Sequence, residues 1–212
     1  NALALESKYG MSGSAEVKAA VDKLITADAT RGIVTVLVDL GDAGTMAAYG
    51  VPAISALDAA DPQINKEAID QIYTQTTPRP AYLMLLGSVD VIPHIPLCNP
   101  LIGQPGDPDL DIPSDLPYAC NEPYSTDVRD FVAPSRVVAR LPNVTGDTDP
   151  AYLVGLLETA AAYTSRPASD YSDFLGISTK AWETSTEISL DAVFGNHIDL
   201  KLSPPDGNNW TS

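Results

Sequence analysis

Cysteine is nearly missing from this chain, with two in 212 residues, Cys98 and Cys120. Two cysteines cannot build a disulfide scaffold, and their spacing leaves open whether they pair or stay free. Basic residues are scarce too: 12 lysines and arginines face 28 acids, for a formal charge of −16. A surface that negative repels phosphate backbones and anionic lipid headgroups, which argues against nucleic-acid or membrane-surface binding. Cationic partners and divalent ions remain compatible with it. No apolar run approaches the roughly 18 residues a membrane-spanning helix needs. The opening Asn1-Ala2-Leu3-Ala4-Leu5-Glu6 lacks the basic segment and apolar core of a signal peptide. Neither G-x-G-x-x-G nor G-x-x-x-x-G-K-[ST] occurs, so the motifs that cradle phosphates are absent.

What is present is a folding composition, 44% hydrophobic and 19% charged, in a chain long enough for one generous domain with a real core. Val17, Ala20, Val21, Leu24 and Ile25 recur at helical spacing and predict an amphipathic helix from Ser14 to about Ala27. The β-branched run Ile33-Val34-Thr35-Val36-Leu37-Val38 predicts a strand buried on both faces. Asp61-Pro62 predicts a capped helix start, with Ala68, Ile69, Ile72 and Tyr73 inward. Strands are expected at Tyr82 to Leu86 and Arg136 to Leu141, adjacent to the first. A helix should follow Asp149-Pro150 with Leu153, Leu156, Leu157 and Ala160 inward. Weaker signals predict a strand from Phe174 to Ile177, a helix from Thr184 to Phe194 closed by Gly195, and a strand at Leu200 to Leu202. Strands alternating with helices predict an α/β domain, a mostly parallel sheet flanked by helices. The stretch from Asp90 to Pro134 reads as one long loop, and loops of that length usually carry function.

Ligands of such sheets bind beyond the carboxyl ends of the strands, where Gly87-Ser88-Val89-Asp90 leaves one. Asp107, Asp109 and Asp111 alternate as calcium ligands do, but Ile112 and Tyr118 stand where an EF-hand needs Gly and Glu. An irregular Ca2+ site stays open beside the simpler reading of a solvated acidic loop. Thiol–imidazole chemistry would need Cys98 or Cys120 beside His94 or His197. Asp115, before Leu116-Pro117-Tyr118, carries two readings: a turn carboxylate bonding its own backbone, or the base of a pocket for a cationic side chain.

Three phrases, Tyr82-Leu83-Met84-Leu85-Leu86-Gly87, Ser114-Asp115-Leu116-Pro117-Tyr118-Ala119 and Arg136-Val137-Val138-Ala139-Arg140-Leu141-Pro142, follow one another in this order. Together with the helix ending Ala162-Tyr163, they resemble the gingipain-like cysteine peptidases of the caspase-like clan, over about residues 30 to 165. Ser88, Ala119 and Ala139 depart from the family's Asp, Gly and Gly. The resemblance implies a caspase-like fold across residues 1–212, incomplete at its C-terminal end. It implies an endopeptidase that needs no cofactor and cleaves peptide or protein substrates after Arg or Lys. The catalytic Cys and His would lie on a further C-terminal segment or chain, and Asp115 would line the pocket for the basic side chain. Secretion is the setting it favours. The alternative is a non-catalytic binding module of the same fold, with calcium as its ligand.

Overall fold

The computed structural model describes residues 1–104, 108–171, 176–195 and 200–202. Contacts divide the chain into two compact units, Asn1–Tyr163 and Thr164–Ser212, where one domain over 1–212 was expected.

The first unit opens with α1, Ala2–Thr30, far longer than the predicted helix. Asn1 caps it by accepting the Ala4 amide at 3.2 Å. Gly10, at φ 71° and ψ 173°, breaks it into two helical stretches, a conformation that glycine adopts without steric cost. Val17, Ala20, Val21 and Leu24 are buried, as their spacing requires. After the short α2, Ala43–Ala47, comes α3, Pro62–Gln75. Asp61 caps α3 through the amides of Gln63 and Ile64 at 2.8 and 3.1 Å. Ala68, Ile69 and Tyr73 face inward as expected, and so, unexpectedly, do Asn65 and Lys66.

Strand β1, Tyr82–Leu86, pairs in parallel with β4, Val137–Leu141, in the register Tyr82↔Val137 to Leu86↔Leu141. Between them the predicted loop holds an antiparallel pair, β2 (Ile95–Cys98) and β3 (Asp111–Ser114), followed by a 3-10 turn at Leu116–Ala119. The alternation of Ile95 and Leu97 with half-buried Pro96 is the strand signal hidden there by the prolines. Helix α4, Ala151–Ala162, packs along α1 with Leu153 and Leu157 buried. Asp149 accepts the Ala151 amide at 2.9 Å. One apolar cluster joins Val17, Ile69, Leu85, Ile95, Leu97, Leu153 and Leu157.

The second unit contains β5, Gly176–Ser178, parallel to β6, Leu200–Leu202, with α5, Glu183–Phe194, between them in sequence. Gly195 ends α5 at φ 80°. Phe174 and Leu175, expected in the strand, lie outside the described residues.

The architecture is therefore mixed helix and strand with a small parallel sheet flanked by helices. Two expectations fail. Ile33–Val38 forms no strand; Ile33 to Leu37 are exposed, Val34 to 92% and Val36 to 69%, and Val38 is half-buried against the core. Its apolar run specifies extended chain but names no partner. The segment is tied instead to the end of α1, the Ile33 amide donating to Asp28 O at 2.9 Å and the Thr35 hydroxyl to Asp28 Oδ2 at 2.7 Å. Nor is β1 buried on both faces. Leu85 is covered, while Tyr82 and Met84 are 76% and 54% exposed.

Candidate functional site

Arg136 and Arg140 sit four residues apart in and beside an otherwise apolar strand. A guanidinium cannot be buried without acceptors, so each must gather polar groups around it. Parallel pairing brings the ends of β1 and β4 to one edge, and there Arg140 makes two pairs of bonds. Its Nη1 donates to the carbonyls of Gly87 at 2.7 Å and Ile92 at 2.8 Å. Its Nε and Nη2 donate to Asp115 Oδ2 and Oδ1 at 2.8 and 2.5 Å. The fork-on-carboxylate geometry is the strong form of this ion pair. It fastens the 3-10 turn at Leu116–Ala119 to the carboxyl edge of the sheet.

Asp115 is therefore at the edge where it was expected, with both oxygens engaged by the chain's own arginine. Its side chain makes no bond to the turn that follows, although its carbonyl accepts the Tyr118 amide at 3.0 Å. That duty falls to Ser114, whose Oγ accepts the Leu116 amide at 3.1 Å. The carboxylate stays about one quarter exposed, and His94 Nε2 stands 3.7 Å from Oδ1, beyond hydrogen-bond range. Below it Tyr118 is fully buried, its hydroxyl donating to Pro93 O at 2.8 Å, and burial drives its pKa upward.

The backbone after β1 is held as firmly. Gly87, at φ 105°, lies so close to Val91 that an added Cβ would meet the valine side chain at 2.6 Å. The Ser88 amide donates to Asn143 Oδ1, and Ser88 Oγ meets Thr145 Oγ1 at 2.8 Å. Asp90 accepts from Lys8 Nζ at 2.5 Å and from the Gly146 amide at 3.0 Å. Burial pushes Asp90 up, but Lys8, Gly146 and Asn143 together outweigh it and hold the carboxyl below its ordinary value.

No family model, curated protein or solved structure matches the chain. Functional assignment therefore rests on the groups themselves.

At the other end of β4, Arg136 is buried. Its Nε donates to Tyr118 O at 2.6 Å and its Nη2 to Cys120 O at 3.1 Å and to Asp70. The guanidinium stacks 4.2 Å from the Tyr73 ring centroid. Lys66, wholly buried, donates to Asp70 and to Cys120 O. Burial drives Lys66 down and Asp70 up, each against the pull of its partner.

Neither thiol meets an imidazole among the described residues. Cys98 is exposed and donates to Thr126 Oγ1 at 3.6 Å. Cys120 is buried and free, its thiol pushed up by burial and by Glu122. His94 faces Asp115, and His197 lies outside the described residues. Asp107, first of the candidate calcium ligands, also lies outside them. Asp111 is the first residue of β3, opposite Cys98, and Asn99 Nδ2 donates to the Asp109 carbonyl. Among the described residues no three His, Cys, Asp or Glu side chains converge to hold a metal.

The residues that sequence reasoning passed over are Arg136, Arg140, Lys66 and Asp70. The signal was available: two arginines at even spacing in a β-branched run point to one face, and that face must hold carboxylates or carbonyls.

Proposed function

We propose that this chain is the N-terminal part of a gingipain-like, caspase-fold cysteine endopeptidase. The nucleophilic Cys and the His base stand on polypeptide outside residues 1–212, and the enzyme cleaves after Arg or Lys. One observation carries the reading. The three phrases behind the resemblance, scattered over 60 residues of sequence, meet as one unit. Tyr82–Leu86 lies in register with Val137–Leu141, and Arg140 bridges Gly87 to Asp115. Arg136 ties Tyr118 to the start of β4. This is the edge at which ligands of open parallel sheets bind.

In this reading a thiolate attacks the peptide carbonyl and the imidazole passes its proton to the leaving amine. A cationic side chain would take the lone pairs of Asp115 that Arg140 leaves over, and Arg140 lowers that gain because it already offsets the charge. The same pairing favours the second reading, a non-catalytic module in which Asp115 serves only to dock the turn. An irreversible peptidyl ketone with Arg at its reactive end, applied to the full-length protein, separates the two. Peptidase function predicts labelling of one cysteine outside residues 1–212, at a rate reduced about tenfold by Asp115→Asn. Labelling confined to Cys98 or Cys120, or no labelling at all, overturns it.

A further inference from the structure

The outer edge of β1 is unpaired among the described residues. The Ala81 carbonyl and the Gly87 amide both bond β4, so odd-numbered backbone groups face that partner. Strand geometry then turns the amides and carbonyls of Tyr82, Met84 and Leu86 the other way. Open strand edges are templates for another strand, and proteins rarely leave them bare. The same unit contains a segment of fitting length and composition that belongs to no helix or strand. Ile33–Val38 has six residues, five of them apolar and β-branched or leucine, against the five of β1.

Both ends of that segment are anchored. On one side Arg31 Nη2 donates to the carbonyls of Ala161 and Tyr163, and the Ile33 amide to Asp28 O. On the other, the Leu40 carbonyl accepts the Ile54 amide at 2.7 Å, and Asp39 Oδ1 accepts the Ala2 and Gly41 amides at 2.9 Å. The middle is latched by the Thr35 hydroxyl on Asp28 Oδ2, and Val38 rests half-buried against the core.

We propose that Ile33–Val38 is a strap that closes onto the outer edge of β1 as a third parallel strand once the Thr35–Asp28 latch lets go. Connectivity selects this edge over that of β4. The segment, then α3, then β1 form a strand–helix–strand unit, whose strands are usually neighbours. Closure pairs the outward groups of β1 and removes Val34 and Val36 from water. Parallel strands share their carboxyl edge, so it also brings Val38 and the Asp39 turn beside Gly87. The strap stands independently of the peptidase reading, since it concerns only backbone pairing.

Amide hydrogen exchange on the whole chain tests it. With Val36 opposite Met84, the closed strap turns the Thr35 and Leu37 amides toward β1 and predicts protection there of at least about tenfold over the unfolded rate, with the outward amides between them unprotected. Thr35→Val removes the latch and keeps the β-branched shape, so protection should rise several-fold. Leu37→Pro, which removes an amide turned toward β1, should abolish it while leaving the exchange of α1 and α3 unchanged. In a Cys98→Ser background, Val36→Cys with Met84→Cys should form a disulfide, and Val36→Cys with Val138→Cys should not. Unprotected exchange in both the parent and Thr35→Val, or cross-linking to the β4 position instead, overturns the proposal.

Discussion

The two ends of β4 carry the same residue type to opposite effect. Arg136 is enclosed: carbonyls, Asn121, Asp70 and the face of Tyr73 surround it, and the neighbouring Lys66 is buried with it. Arg140 makes as many bonds, yet it is 10% exposed against 1% for Arg136, and its partner Asp115, one quarter exposed much as Asp70 is, faces an imidazole. In the first arrangement two buried cations, Lys66 and Arg136, take both oxygens of Asp70. The second presents a single, nearly neutral ion pair at an edge that other groups can approach. The difference lies in the guanidiniums, since a buried cation must be satisfied within the fold whereas a rim pair can be shared.

The sharpest way to break the comparison is Arg136→Ala. Removing a buried cation strands the Tyr118 carbonyl and leaves Asp70 and the Cys120 carbonyl to Lys66 alone, and a loss of about 3–5 kcal/mol should show as a large drop in the urea midpoint. The Cys120 thiol reports the same event. It should be inert to a thiol reagent in the parent, where Cys98 reacts at once, and become reactive in the variant. Arg140→Ala should cost less, about 2 kcal/mol, because Asp115 can turn to water. Its signature should be faster proteolysis between Asp90 and Pro134, and Arg140→Lys should not rescue it, since an ammonium cannot bridge both carboxylate oxygens and two carbonyls. Equal losses at the two arginines would remove the distinction.

Much of this was open to reading. Helical spacing located α1, α3 and α4, because burial of one face leaves a periodic trace, and continuous apolar runs located β1 and β4. The position of Asp115 at the carboxyl edge followed from topology. Its engagement by Arg140 did not, because pairing across 25 residues of sequence leaves no local mark. Ile33–Val38 failed for a related reason: the run is as β-branched as any strand here, and the Thr35–Asp28 bond that holds it aside leaves no trace in its periodicity. The β2–β3 hairpin was masked by Pro96 and Pro113, which remove amides from the ladder and read as loop.

Smaller changes sharpen the contrast further. Asp115→Asn keeps the shape but loses the charge facing Arg140, and should lower stability by about 1 kcal/mol. Asp90→Asn should have the smallest effect, visible in its pH dependence. The folded carboxyl lies below its ordinary value of 3.8, so its contribution is full above that value and disappears as pH falls through the folded pKa. The stability gap between parent and variant should therefore close between about pH 5 and pH 2 in a series of denaturant titrations. A gap that widens on acidification would show that Lys8 and Gly146 do not hold that charge.

The packing of α1 along α4 has a consequence for the chain's first minutes of existence. Lys23 and Glu158, which meet across these helices at 2.7 Å, are 135 positions apart in sequence. Ribosomes add roughly 5–20 residues per second, so the stripe of Val17, Ala20, Val21 and Leu24 emerges roughly 7 to 27 seconds before its cover. During that interval the nascent helix exposes an apolar face with no native partner available. Contacts this distant also slow folding after release, because the intervening chain must be closed before the helices are rewarded for meeting. This helix thus waits for a partner made more than a hundred residues later, and its dependence on chaperones during synthesis is set by where in the gene that partner lies.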